Sequence, residues 1–177
     1  CSYCDTMWAN GDDATYTLMS EDEIYDRIIK SGIKNITLTG GEPLLHENVE
    51  TLLKKIGENP ELSLEIETNG SIPLEKFSKL ENPPSFTMDY KLPSSKMEGT
   101  MCLDNFKYLE DKDTVKFVAG TIEDLRKAKE IIEKYNLIGT LIPITGFSKS
   151  EYKIFLFENF NYDKSKESIN PHRIFRC

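Results

Sequence analysis

No run of apolar residues in this chain is long enough to cross a bilayer, so no membrane span is expected. Cysteine is scarce: Cys1, Cys4, Cys102 and Cys177 are too few and too unevenly spaced for the disulfide framework of a small secreted protein. No signal peptide is visible, and together with the sparse cysteines this points to a reducing cytoplasm. Basic charge is in deficit, with 22 Lys and Arg against 30 Asp and Glu and a formal net charge of −8. The acidic residues are spread through helical segments such as SEDEIYDRIIK, as on a solvated surface, so nonspecific nucleic-acid binding through a basic face is not expected. Repeats, linkers and low-complexity segments are also missing. What remains is 177 residues with 38% hydrophobic content, enough for one domain with a sizeable core. The chain starts on cysteine without Met, so a front segment, with any ligands it carries, is expected to be absent.

What is present is alternation of strand and helix signals. After a loop to about Met19, SEDEIYDRIIKSG predicts a helix: Ser20 caps it with Glu23 three residues on, Ile24, Ile28 and Ile29 share a face, and Gly32 stops it. KNITLT (Lys34 to Thr39) predicts a buried strand, and HENVETLLKKIGEN a second helix with Val49, Leu52, Leu53 and Ile56 inward. LSLEIET, SFTMD, TVKFVAG and LIGTLIPI predict further strands, with a Pro-containing helix around Leu74 to Leu80 and the helix TIEDLRKAKEIIEKYN between them. Such alternation implies right-handed crossovers and an α/β fold with a mostly parallel, curved sheet, a partial (β/α) barrel, in a single domain spanning 1–177 whose segment 147–177 is irregular.

In such folds ligands sit at the carboxyl ends of the strands. Thr39-Gly40-Gly41-Glu42-Pro43, Glu67-Thr68-Asn69-Gly70 and Asp89-Tyr90-Lys91 follow successive strands. Gly-Gly and Asn-Gly also have a plain reading as turns. Glu42 after two glycines is more pointed: glycines let backbone approach a ligand closely, and the extended Glu-Pro pair offers carbonyls and a carboxylate to an ammonium group. The Cys1-x-x-Cys4 pair leaves half a zinc site, a dithiol, a disulfide fragment and part of an iron–sulfur site in competition. The remaining cysteines are isolated, with only His46 and His172 to complete a zinc site, and Cys4 runs into the loop-like DTMWANGDD rather than a helix. A 4Fe-4S site with three cysteine ligands would place its third ligand upstream.

CSYCDT followed by TGGEP at the end of the next strand resembles the radical S-adenosylmethionine (SAM) superfamily, whose cluster motif is usually Cys-x-x-x-Cys-x-x-Cys and whose GGEP motif contacts the methionine group of SAM. MDYKLPSS (Met88 to Ser95), with ETNG and CDT, is similar to the 7-carboxy-7-deazaguanine synthases of the queuosine pathway. The likeness covers about the first 145 residues and fades after Gly146. It implies a radical SAM type of barrel whose N-terminal strand and first cluster cysteine lie outside this chain.

The resemblance implies that Cys1 and Cys4 ligate the 4Fe-4S cluster with an upstream cysteine, and that Thr6, from the CDT triplet, ligates Mg²⁺. Tyr3, Cys4, Asp5, Gly40, Gly41, Glu42, Pro43, Asp89, Tyr90 and Lys91 would contact SAM, and Thr39 and His172 the pterin. Thr6 as a turn hydroxyl and Tyr3 as ordinary core are the plain alternatives. His46, Trp8 and Cys102 receive no role. The implied reaction is a lyase step: conversion of 6-carboxy-5,6,7,8-tetrahydropterin to 7-carboxy-7-deazaguanine by hydrogen abstraction and ring contraction with loss of ammonia. The implied partners are that small molecule and an electron donor such as flavodoxin or ferredoxin, with no direct nucleic-acid partner; a homodimer is compatible. Two other classes stay open, a glycyl-radical-enzyme activating protein and a cluster-free interaction module.

Overall fold

The structure is a computed structural model that describes Cys4, Met7, Gly11, residues 13–137 and, as backbone, residues 139–143. The order of elements is α1 (Glu21–Ser31), β1 (Asn35–Leu38), α2 (Val49–Gly57), β2 (Ser63–Thr68), α3 (Glu75–Ser78), β3 (Ser85–Tyr90), β4 (Thr114–Ala119), α4 (Ile122–Tyr135) and β5 (Gly139–Pro143). Short 3₁₀ turns lie between β1 and α2 and between β3 and β4. The chain divides into two compact units. The first runs to Met88 and takes back Cys102–Asp113; the second holds Asp89–Met101 and the chain from Thr114 on.

The first unit is built on three parallel strands. β1 pairs with β2 in the register Asn35↔Ser63 to Leu38↔Ile66, and β2 with β3 from Glu65↔Ser85 to Thr68↔Met88. α1 starts on the expected capping box, in which the Glu23 backbone N–H donates to Ser20 Oγ at 3.3 Å and the Ser20 N–H to Glu23 Oε2 at 2.8 Å. It stops at Gly32, whose φ of 68° is the left-handed C-terminal geometry that glycine adopts without a Cβ penalty. α2 buries Val49, Leu52, Leu53 and Ile56, the face that its spacing predicts, against β2. From β2 and β3, Leu64, Ile66, Phe86 and Met88 are buried, while the alternate residues Glu65, Glu67 and Thr87 are half-buried or exposed. Asp113 fixes the start of β3, accepting the Phe86 N–H at 2.7 Å and the Glu110 N–H at 2.8 Å.

Two expectations are corrected here. β1 is not buried; its residues alternate between exposed and half-buried, because among the described residues only β2 flanks it. α1 has no buried residue: Ile24 and Ile28 of its apolar face are half-buried and Ile29 is exposed. α1 meets α2 through polar contacts instead: Lys55 pairs with Asp22 and lies 4.9 Å from the Tyr25 ring, whose hydroxyl accepts from Asn59 Nδ2 at 3.3 Å. The helix expected over Leu74 to Leu80 is a single turn, Glu75–Ser78, with Phe77 buried.

In the second unit β4 pairs in parallel with β5, Val115 opposite Gly139 and Ala119 opposite Pro143. α4 opens on a capping box of Thr121 and Asp124 and ends on Asn136 in the left-handed conformation. It buries Leu125, Ala128, Ile131 and Ile132 and packs against β4. Asp124, fully buried, accepts N–H groups from Ser94 at 3.0 Å, Gly120 at 2.9 Å and Thr121 at 3.0 Å, so it ties the 93–95 turn to the start of the helix. Burial pushes the Asp124 carboxyl up, but the hydrogen bonds from Ser94, Gly120 and Thr121 together outweigh it and hold the group below its ordinary value.

A carboxylate held low in the folded state stabilises the fold above its unfolded pKa of about 3.9 and loses that contribution as pH falls through the lower folded value. Asp124→Ala is expected to cost about 3 kcal/mol near neutral pH, since it strands three backbone donors in a buried site. Urea unfolding of both proteins checks this, and the gap between them should narrow in strong acid. An equal loss at every pH would show that Asp124 acts through its shape rather than its charge.

Candidate functional site

Because β1 and β2 are parallel neighbours, the chain leaves both at the same edge of the first unit. The segment after β1 changes character within four residues. Thr39, Gly40 and Gly41 are exposed, whereas Glu42, Pro43 and Leu44 are buried. Gly40 has φ 156°, and a Cβ built on it would meet nothing within 4 Å, so its backbone faces open space. Pro43 starts the 3₁₀ turn Pro43–Leu45, and Glu42 caps it.

Where the sequence suggests a carboxylate open to an ammonium group, the structure fills it with donors of its own chain. Glu42 is 8% exposed. Its Oε1 accepts the Leu44 N–H at 3.2 Å and its Oε2 the Asn69 N–H at 2.7 Å, while the Thr68 hydroxyl lies 2.9 and 3.0 Å from the two oxygens. Thr68 Oγ1 in turn accepts the Gly70 N–H at 3.1 Å. The turn after β2 is held from its far side by the buried Asn105, which donates to the carbonyls of Gly70 at 3.2 Å and Ile72 at 2.9 Å and accepts the Leu74 N–H at 2.9 Å. The Cys102 N–H adds a bond of 2.9 Å to the Gly70 carbonyl. Exposed Thr39 donates to Glu67 at 3.4 Å, and on the same polar face Glu65 accepts from Thr87 at 2.5 Å and Thr37 at 3.5 Å.

The run Asp89-Tyr90-Lys91 belongs to the second unit. Lys91 Nζ and Asp89 Oδ2 are 2.9 Å apart, with side chains only 15% and 23% exposed. The other oxygen, Asp89 Oδ1, is buried and has no hydrogen-bond partner among the described residues. Tyr90 lies between them in sequence and, by strand alternation, turns the other way. It is buried beside Phe117, ring centroids 5.7 Å apart, and its hydroxyl donates to Glu98 at 2.9 Å. Burial first, and then the Glu98 carboxylate, push that hydroxyl well above the usual phenol range. The triplet is therefore two polar side chains and one core residue.

Cys4 is half-buried and not part of a disulfide. Cys1, Tyr3, Asp5, Thr6, Trp8, Cys177 and His172 lie outside the described residues. His46 and Pro43 line an apolar groove of about 510 Å³ together with Leu18, Ile24, Leu38 and Leu52. Three polar anchors carry no sequence signal of function: Asn105, Asp113 and Asp124. Thr68 stood inside the ETNG stretch, and only its inward position in the strand period marks it as the residue that turns toward Glu42.

The profile of the radical SAM superfamily matches residues 1–135. A 7-carboxy-7-deazaguanine synthase from Clostridium acetobutylicum is 54% identical over 137 residues, covering 77% of this chain and 62% of that protein. One from Leptospira interrogans is 36% identical over 160 residues, covering 81% and 65%. A GTP 3′,8-cyclase from Clostridium perfringens is 32% identical over 155 residues, covering 77% and 47%. The chain thus spans just under two thirds of the two synthases. Among solved structures, QueE from Escherichia coli matches with a TM-score of 0.65 at 18% identity, over 89% of this chain and 74% of that one. That likeness is one of fold, and it supports the parallel α/β barrel type read from the sequence.

Removing one member of the Asp89–Lys91 pair leaves the other half-buried and unpaired. Lys91→Met is expected to cost about 2 kcal/mol in urea unfolding, and the double variant Asp89→Asn/Lys91→Met less than the single one. A double variant as unstable as the sum of both singles would mean that the two side chains act independently.

Proposed function

The chain belongs to the radical SAM superfamily, and from that premise we propose that it is the core of a 7-carboxy-7-deazaguanine synthase. In this reading it converts 6-carboxy-5,6,7,8-tetrahydropterin to 7-carboxy-7-deazaguanine with loss of ammonia, in the cytoplasm, as a step toward queuosine. The observation that carries the proposal is the exposed Gly40–Gly41 backbone at the carboxyl end of β1, in a stretch shared with a synthase of that name at 54% identity.

The family implies a 4Fe-4S cluster and SAM. When bound, they supply one-electron cleavage of the sulfonium to a 5′-deoxyadenosyl radical. The residues fit the pair by their chemistry. Cys4 offers a thiol that is neither oxidised nor fully buried, and with Cys1 and an upstream cysteine it would hold the cluster, Tyr3 and Asp5 flanking it. Gly40 and Gly41 present exposed backbone, and a Cβ at Gly40 would meet nothing within 4 Å. Lys91 brings a cation for the SAM carboxylate. The unpartnered Asp89 Oδ1 is an acceptor suited to a ribose hydroxyl.

Thr39, exposed beside Glu67, would meet the pterin, with His172 as a second contact. Thr6 would be a neutral ligand to Mg²⁺, orienting the substrate carboxylate and offsetting negative charge as the ring contracts. A flavodoxin or ferredoxin would deliver the electron.

Full-length protein, reconstituted with iron and sulfide under anaerobic conditions, should show the cluster's absorbance, make 5′-deoxyadenosine and yield product from the carboxy-tetrahydropterin. Cys4→Ala is expected to lose both cluster iron and SAM cleavage; cluster content equal to wild type would remove Cys4 from the ligand set. Chelating Mg²⁺, or Thr6→Ala, should slow product formation by about two to three powers of ten at saturating SAM while leaving SAM affinity unchanged. Equal rates with chelator and with Mg²⁺ would rule the metal out of the reaction.

A further inference from the structure

We propose that Glu42 and Thr68 form a brace that positions the Gly40–Gly41 backbone for the methionine end of SAM, so that Glu42 acts through that backbone and not as a ligand of the SAM amino group. This rests on the radical SAM reading above. A carboxylate has about four acceptor positions, and three donors of this chain engage both oxygens of Glu42: the Leu44 N–H, the Asn69 N–H and the one Thr68 hydroxyl proton, whose oxygen lies within 3.0 Å of each. The direction of the Thr68 bond follows from its neighbour. Thr68 Oγ1 accepts the Gly70 N–H, and its own single proton is left to donate toward Glu42.

The result is a directed chain from Gly70 through Thr68 to Glu42, joined by Asn69 from the same turn. One end of the brace is anchored by the Asn105 side chain and the Cys102 N–H, both on the Gly70 carbonyl. Its other end is Glu42 itself, extended at φ −140° and ψ 104° and capping the turn that buries Pro43 and Leu44. Two residues upstream the chain is exposed and carries no side chains. The part of the motif that a ligand can touch is therefore glycine backbone, and the acidic side chain is turned inward to hold it still. Rigid placement of this backbone avoids an ordering cost on binding, which is where such a brace raises affinity.

Thr68 separates the two roles for Glu42, because it is buried, 3% exposed, and would touch no ligand. SAM affinity is measured by calorimetry on full-length, cluster-loaded protein for wild type, Thr68→Val, Thr68→Ser, Glu42→Gln and the double variant Glu42→Gln/Thr68→Val. The same series is repeated with SAM lacking its amino group. As a brace, Thr68→Val and Glu42→Gln should each weaken SAM by about tenfold. Thr68→Ser should recover most of that loss, the double variant should bind about as well as the worse single one, and the loss should be as large for the deaminated ligand. Amide exchange at Gly41 and Asn69 in the SAM-free protein should quicken in Thr68→Val, a readout that needs no ligand.

A Glu42→Gln loss confined to SAM with its amino group, alongside a silent Thr68→Val, would overturn the brace and make Glu42 a direct ligand. If Thr68→Val fails to fold, Thr68→Ser and Glu42→Gln with the two ligands still decide between the roles. Wild type that binds no SAM at all would bring down the radical SAM reading itself and the brace with it.

Discussion

Parallel pairing is the constraint on which the rest depends. Two strands can lie side by side in the same direction only if the chain crosses back between them, and each crossover returns it to the same starting edge. β1, β2 and β3 obey this in the first unit, β4 and β5 in the second. The loops that leave β1 and β2 are consequently neighbours although 26 residues separate Glu42 from Thr68. A motif that reads as a local string, TGGEP, gets its geometry from a residue one crossover away.

The strands also carry a second, less usual property. A parallel sheet covered on both sides reads as a continuous apolar run, yet β2 alternates, with Leu64, Ile66 and Thr68 buried and Glu65 and Glu67 on the opposite face. Those acids are satisfied by hydroxyls of the flanking strands, Thr37 and Thr87 for Glu65 and Thr39 for Glu67. One face of the first unit is thus polar along its length, which suits a lining for a polar ligand and does not suit a buried core.

Much of this was legible in the sequence, and what was not has a common cause. The capping box of Ser20 and Glu23, the inward face of α2 and every strand follow from spacing within a few residues, where local rules operate. The burial of β1 was not legible, since it depends on what flanks the strand and not on its own β-branched residues. Tyr90 illustrates a signal that was present: strand alternation already separates it from Asp89 and Lys91, and the triplet has to be read as two faces and not as one motif. Asn105 had no such signal. Its three bonds reach 31 to 35 residues back along the chain, and a lone asparagine in a turn-rich stretch says nothing of that.

Buried carboxylates at the ends of strands and turns are the molecule's recurring connector, and their electrostatics are not uniform. Asp113 and Asp124 are both buried and both accept backbone N–H groups, yet burial wins at Asp113 and raises its pKa, whereas hydrogen bonding wins at Asp124 and lowers it. The difference lies in the donors: Asp113 has the Phe86 and Glu110 amides, and Asp124 has Ser94, Gly120 and Thr121. Each donor favours the charged form and burial opposes it; the Ser94 and Thr121 side chains add to the donors at Asp124, while the neighbouring Glu110 charge pushes Asp113 further up. The signs carry through to stability. The raised group binds its proton more readily in the fold than in the unfolded chain, so its contribution falls as pH rises from the unfolded value through the higher folded one, whereas the depressed group's contribution grows only below the unfolded value and is complete above it. The two aspartates therefore act in adjoining windows: acid below the ordinary carboxylate range removes the contribution of Asp124, and rising pH above that range removes the contribution of Asp113.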